Sequence, residues 1–196
     1  PGTYGYQSGT HIAVQVQMGL YGAMVKDNAV GEAYPGISYD QDQVLLYSAI
    51  DPELHRQVSL GLYGDPSDPN NMTSTVHYAP EYFLINGQSY AVGDLPTLIG
   101  APGTTTLLRM INMDIDTHAP MLLGSHLDII AESGYPYPFP RQQYSVNLAP
   151  GQAKDALLTA TGAVLGDTLA LIDRRLNTTN AGGSGGGLVS LLQVGG

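Results

Sequence analysis

The sequence predicts an all-β chain folded as a sandwich or barrel. Helical periodicity is scarce along its 196 residues, whereas short apolar or alternating runs recur between turn signals. The 25 glycines and 13 prolines supply those turns, and 13 tyrosines against two phenylalanines and no tryptophan suit a pleated, half-buried surface.

Strands are expected near Thr3–Tyr6, Ala13–Val25, Gln43–Ile50, Tyr82–Ile85, Thr104–Asn112, Met121–Ala131, Gln143–Leu148, Ala153–Ala160, Thr168–Asp173 and Leu188–Val194. The first follows a Pro-Gly turn, and the second opens on the alternating run AVQVQM. Between the third and fourth, DPELHRQV reads as a short helix, with Asp51 as its cap and Pro52 at its first position. The polar connection from Gly64 to Pro80 is a surface excursion suited to binding or assembly. Asn86-Gly87 is the pair for a two-residue hairpin turn, and Pro102-Gly103 and Pro150-Gly151 mark two more turns. The stretch GYPYPFP at Gly134–Pro140 reads as a rigid loop of prolines and aromatics, or as a patch for a partner. The glycine run at Ala181–Gly187 reads as a hairpin loop, because LVSLLQV after it is an apolar strand that must be buried. QVQMGLYG at Gln15–Gly22 and QVSLGLYG at Gln57–Gly64 are a near-repeat, either chance likeness of strand ends or a trace of duplication.

Seventeen acidic against seven basic residues give a net charge of -10, which disfavours nucleic-acid binding. No apolar run approaches the roughly 20 residues of a membrane helix, and no charged-then-apolar export signal opens the chain. The absence of cysteine excludes disulfides, thiolate nucleophiles, zinc-thiolate sites, iron–sulfur clusters and a cysteine-ligated blue copper. No Gly-x-Ser-x-Gly elbow stands between a strand and a helix, and GAPGTTT lacks the Gly-Lys-Thr ending of a phosphate loop. Asp114/Asp116 and Asp40/Asp42 alternate as residues on a strand edge do, and DRR at Asp173–Arg175 reads as charges paired at a strand end.

Two blocks stand out. The first is Gly2-Thr3-Tyr4, the polar loop Gln7–His11, and Gln15 followed by Gly19-Leu20 and Gly22. The second runs from Leu108-Arg109-Met110-Ile111-Asn112 through His118, Gly124-Ser125-His126 and Ala131-Glu132-Ser133-Gly134 to Pro150-Gly151 and Asp155. The first resembles the closing segment of the first cupredoxin domain of laccase-like multicopper oxidases, and the second resembles the latter part of a later cupredoxin domain. The resemblance implies a cupredoxin-like Greek-key β-sandwich with an extra N-terminal β-hairpin. It divides the chain into residues 1–36, closing strands of a preceding domain, and 37–196, a cupredoxin-like domain. The chain then reads as an excised or engineered piece of a larger enzyme, secreted or periplasmic as the family is.

In the family's loop, histidines occur as a pair that faces copper; here Gln7 stands at the first position and His11 at the second. The resemblance makes His11 a remnant copper ligand or one shared between chains, against an ordinary surface histidine. His118 and His126 fall where copper-binding domains cluster histidines, but Met121, Leu122 and Leu123 replace the expected imidazoles. Both are metal candidates with a structural alternative: loop anchoring for His118, capping of the core for His126. His55 on the helix and His77 in the long loop read as solvated.

Three functions compete. One is a copper-depleted structural or assembly domain of a laccase-like oxidase, with no oxidase activity of its own and the remaining cupredoxin domains as partners. Another is a self-associating homotrimer holding copper weakly between chains through His11. The last is a tyrosine-rich binding module using Tyr34, Tyr39, Tyr135 and Tyr137.

Overall fold

A computed structural model describes residues 1–195. The strands are β1 (Gly2–Gln7), β2 (Tyr21–Lys26), β3 (Glu32–Tyr34), β4 (Ile37–Ser38), β5 (Gln41–Ile50), β6 (Tyr82–Ile85), β7 (Thr97–Ile99) and β8 (Thr105–Asn112). They continue as β9 (Pro120–Leu122), β10 (Leu127–Glu132), β11 (Tyr135–Gln143), β12 (Ala153–Thr159), β13 (Thr168–Asp173), β14 (Thr179–Asn180), β15 (Gly183–Ser184) and β16 (Val189–Val194). Helices α1 (Ile12–Gln15) and α2 (Pro52–Ser59) lie in the connections β1–β2 and β5–β6.

A large sheet in the order β11-β10-β12-β8-β5-β6-β14-β15 faces a small one in the order β7-β16-β13-β9. The architecture is the cupredoxin-like β-sandwich with an N-terminal hairpin. Inward residues of both sheets form the main core, among them Leu45, Tyr47, Leu108 and Met110 against Leu122, Leu171 and Leu192. The β1–β2 ribbon, α1 and the β3–β4 hairpin cover the outer face of the large sheet. There Val16 meets Ile111, Met113 and Ala153, while Ala33 and Tyr34 meet Leu107, Ile130 and Ala131. Strand β8 is therefore buried on both faces: seven of the eight residues of TTLLRMIN are buried, the polar Thr106, Arg109 and Asn112 among them.

Between these two outer clusters sits Arg109, with no exposed side-chain surface. Its Nη2 lies 2.6 Å from Asp27 Oδ1 and its Nε 2.7 Å from Asp42 Oδ2. Tyr39 donates to Asp27 at 2.6 Å, and Tyr34 donates to the neighbouring buried Asp155 at 2.6 Å. Burial opposes ionisation of Asp27, yet the hydrogen bonds from Tyr39 and Arg109 hold its carboxyl below the usual range. Burial pushes the Asp155 carboxyl up. One guanidinium thus joins residues 27 and 42 to the central strand. Tyr34 and Tyr39 belong to this network, and so share no surface patch with Tyr135.

The capped helix and the three turns form as expected. Asp51 accepts from Glu53 N at 2.9 Å and Leu54 N at 3.2 Å, and its second oxygen accepts from Ala79 N at 2.9 Å. Asp51→Ala, which strands these donors, is expected to cost about 1–2 kcal/mol in urea unfolding; a loss of only a few tenths would show that the cap is not needed. Asn86 and Gly87 take φ of 54° and 77°, the left-handed pair that a tight hairpin turn requires.

Four expectations are corrected. Ala13–Val25 is not one strand: residues 12–15 form a single helical turn that buries Val14, and only Tyr21–Lys26 pairs with β1. Docking of Val16 on the sheet overrides the local alternation. Met121–Ala131 is two strands in different sheets, parted at Gly124 with φ 79°. Gln143–Leu148 is an extended segment held by isolated bridges, while GYPYPFP opens β11, an edge strand pairing with β10. Prolines at 136, 138 and 140 lack N–H donors and are tolerated there because one side of the strand has no neighbour.

Candidate functional site

A cleft of about 410 Å³ opens where the β1–β2 connection meets the end of β8. Ile12, Ala13 and Val16 of the N-terminal segment face Met113 and Ile115, with the Pro150-Gly151 turn closing one side. Gln7, Gln17, Thr75 and Asp114 are its polar groups. Ile12 is 52% exposed and Ile115 36% exposed, so the apolar rim stands open to solvent.

Beneath this cleft runs a buried polar array. Tyr78 Oη lies 3.0 Å from both Gln17 Oε1 and Asp114 Oδ1, and His55 Nε2 lies 2.9 Å from the Gln17 carbonyl oxygen. Asp114 Oδ2 is 3.0 Å from Nε2 of His118, whose Nδ1 is 3.5 Å from Asp173 Oδ2. All three side chains of this Asp–His–Asp array are fully buried. Burial opposes protonation of His118, but the hydrogen bonds and charges of Asp114 and Asp173 outweigh it and hold the imidazole up to about 9. Burial likewise opposes ionisation of Asp173, yet His118, 3.5 Å away, and hydrogen bonds from Ala119 N and Arg175 N lower its carboxyl. Burial and the Asp114 charge push the Tyr78 phenol up. The arrangement is an imidazole held between two carboxylates, hydrogen-bonded to Asp114 at Nε2 and 3.5 Å from Asp173 at Nδ1.

The array was only half legible. Asp114 and His118 are four residues apart, a spacing that can bring them together. Nothing local points to Asp173, which reaches His118 because β13 pairs with β9 at Asp173↔Pro120. Asp114 is 3% exposed, so it is a buried partner rather than part of a solvated strand edge.

The other histidines are scattered. His11 caps α1 from the surface, its ring edge-on to Tyr63 at 6.1 Å between centroids and its backbone N donating to Gln15 Oε1 at 3.1 Å. His126 is exposed just before β10, and His77 is exposed within the long connection, at the end of a short helical turn. His118 lies inside the sandwich, its ring 6.0 Å from that of Tyr47. Among the described residues no three His, Asp or Glu side chains converge in a way that could hold a metal. The donor set gives the same answer: no thiolate, and the one buried imidazole directed at carboxylates from both nitrogens. Among the described residues these donors do not compose a copper site within one chain.

A family model described as multicopper oxidase matches residues 61–168. A search of curated proteins finds no match. Among solved structures, the blue copper oxidase of Nitrosomonas europaea superposes with a TM-score of 0.75 at 20% identity, over 98% of this chain and 55% of that one. The laccase of Botrytis aclada gives 0.67 at 21% identity, over 98% and 35%. A copper-containing nitrite reductase of Thermus scotoductus gives 0.68 at 14% identity, over 98% and 41%. The chain spans about half the length of the first of these and less of the others. At such identities the likeness is one of fold.

Proposed function

The chain belongs to the multicopper oxidase family, and from that membership we propose that it serves as a structural cupredoxin domain that docks against further cupredoxin domains. The observation that carries this reading is the open apolar cleft between the N-terminal segment and the end of β8. Exposed Ile12 and Ile115 beside buried Val16 and Met113 give it a greasy floor with few polar groups, the composition of an interface core. In this reading oxidase chemistry belongs to the assembly, and copper is held by its other domains. A secreted or periplasmic setting follows from the same family membership; among the described residues no helix is long and apolar enough to cross a membrane.

A second reading rests on His11. Its ring nitrogens make no hydrogen bond among the described residues, so three copies around a threefold axis would present three free imidazoles to one copper ion.

Copper per chain after loading and exhaustive dialysis, on protein of mass fixed by light scattering, separates the two. The structural reading expects no retained copper. About one copper per three chains in a trimer favours the shared site. One tightly held copper in a monomer would overturn both.

A further inference from the structure

On a separate face, a recess of about 610 Å³ lies where β9, the end of β11 and the residues after β13 meet. Its walls are set by backbone pairing. Leu122 N donates to Tyr144 O at 2.8 Å and Val146 N to Pro120 O at 2.8 Å, so residues 144–148 run antiparallel to 118–122. Val146 and Leu148 alternate into the core, which leaves Ser145 and Asn147 to line the recess. Gln142 and Gln143 form a second side with His126, and Arg174 closes the third, tethered by its N donating to Ala119 O at 2.9 Å.

The chemistry of this lining departs from that of the molecule. Net charge is -10, yet no Asp or Glu lines the recess. Two carboxylates bond lining residues without themselves lining the space: Asp128 accepts from Gln142 Nε2 at 3.4 Å, and Asp173 accepts from Ala119 N at 2.8 Å. Of the arginines beside it, Arg175 donates to the Thr117 carbonyl oxygen at 2.5 Å, whereas the Arg174 guanidinium has no partner among the described residues. The side chains of His126, Gln143, Ser145 and Asn147 are likewise without hydrogen-bond partners within the described residues. A planar guanidinium beside amide, hydroxyl and ring N–H donors matches the needs of carboxylate and phosphate oxygens.

We propose that this recess binds a small multivalent oxyanion, a dicarboxylate or a phosphate, with Arg174 as its main charge partner and His126, Asn147 and Gln143 as further donors. A general electrostatic attraction would not place it there, because the field of the whole chain repels anions.

Calorimetric titration of the full chain with succinate and with inorganic phosphate, at ionic strength fixed with sodium chloride, tests this. Saturable one-to-one binding of at least one probe is expected, and which one binds identifies the oxyanion class. Arg174→Gln is expected to weaken it about tenfold and His126→Gln about threefold, while Lys26→Gln, on the N-terminal ribbon, leaves it unchanged. The exposed positions of both lining residues let circular dichroism verify that each variant keeps the fold. Absence of saturable binding by either anion, equal binding by Arg174→Gln, or equally tight binding of neutral glucose would each overturn the proposal.

Discussion

Unfolding free energy is expected to fall by about 3 kcal/mol as pH rises from about 6.5 to about 9, with His118 as the cause. The folded state holds the imidazole proton more tightly than the unfolded chain does, because Asp114 and Asp173 face both ring nitrogens. A group whose folded pKa is raised contributes its full stabilisation below the unfolded value, near 6.5, and loses it as pH passes the folded value. Asp173, whose carboxyl is lowered, acts in the opposite sense at the acid end: its contribution is lost as pH falls through its depressed value. Urea unfolding at a series of pH values between 6 and 9 gives the slope directly, and His118→Gln should flatten it while lowering stability throughout. A level profile in the parent chain would mean that the ring is neutral and that the carboxylates do not share its proton.

Arg109→Met is expected to cost about 3–5 kcal/mol, a fall in melting temperature of roughly 10 °C for a chain of this size. The substituted side chain keeps much of the volume, so the loss reports the ionic network rather than a void. Asp27 and Asp42 are 28% and 38% exposed and can turn to water once the guanidinium is gone. Asp155, buried one strand away, cannot. Arg109→Lys keeps the charge but not the planar fork that spans two carboxylates, and an intermediate loss is expected. The decisive readout is protease cutting within residues 1–40 of Arg109→Met: faster cutting there than elsewhere would show that the guanidinium clasps the N-terminal segment. A melting temperature within a degree or two of the parent would show that apolar contacts alone hold that segment.

Legibility in the sequence tracked how local the deciding physics is. The Asp51 cap, the Asn86-Gly87 turn and the strands at 82–85 and 168–173 are specified within a few residues, and they were read as they stand. The helical turn at Ile12–Gln15 was not, because its alternating valines satisfy a strand pattern as well, and only docking on Ile111 and Met113 decides between them. The parting of β9 from β10 and the strand made of GYPYPFP depend on which sheet each segment joins, which no short window contains. For the candidate site, His118 was singled out by its neighbours in sequence, but its chemistry is set by Asp173, a partner supplied by topology. Arg109 was visible as part of a motif, whereas its two carboxylates, at 27 and 42, gave no sign of meeting it.

The open margin of the large sheet at β11 has a consequence for how this chain meets other molecules. A nine-residue edge with Tyr135 and Phe139 79% and 81% exposed would ordinarily recruit a foreign strand and seed a growing polymer. Three missing amide hydrogens, at Pro136, Pro138 and Pro140, break the ladder that such growth needs. The opposite margin, β15, is two residues long, and the small sheet ends in three-residue strands on both sides. Every margin of the two sandwich sheets is thus a poor template for backbone zippering. Recognition by this chain has to be written in side chains, which makes it selective and reversible, and keeps a tyrosine-rich β protein from turning into a fibre.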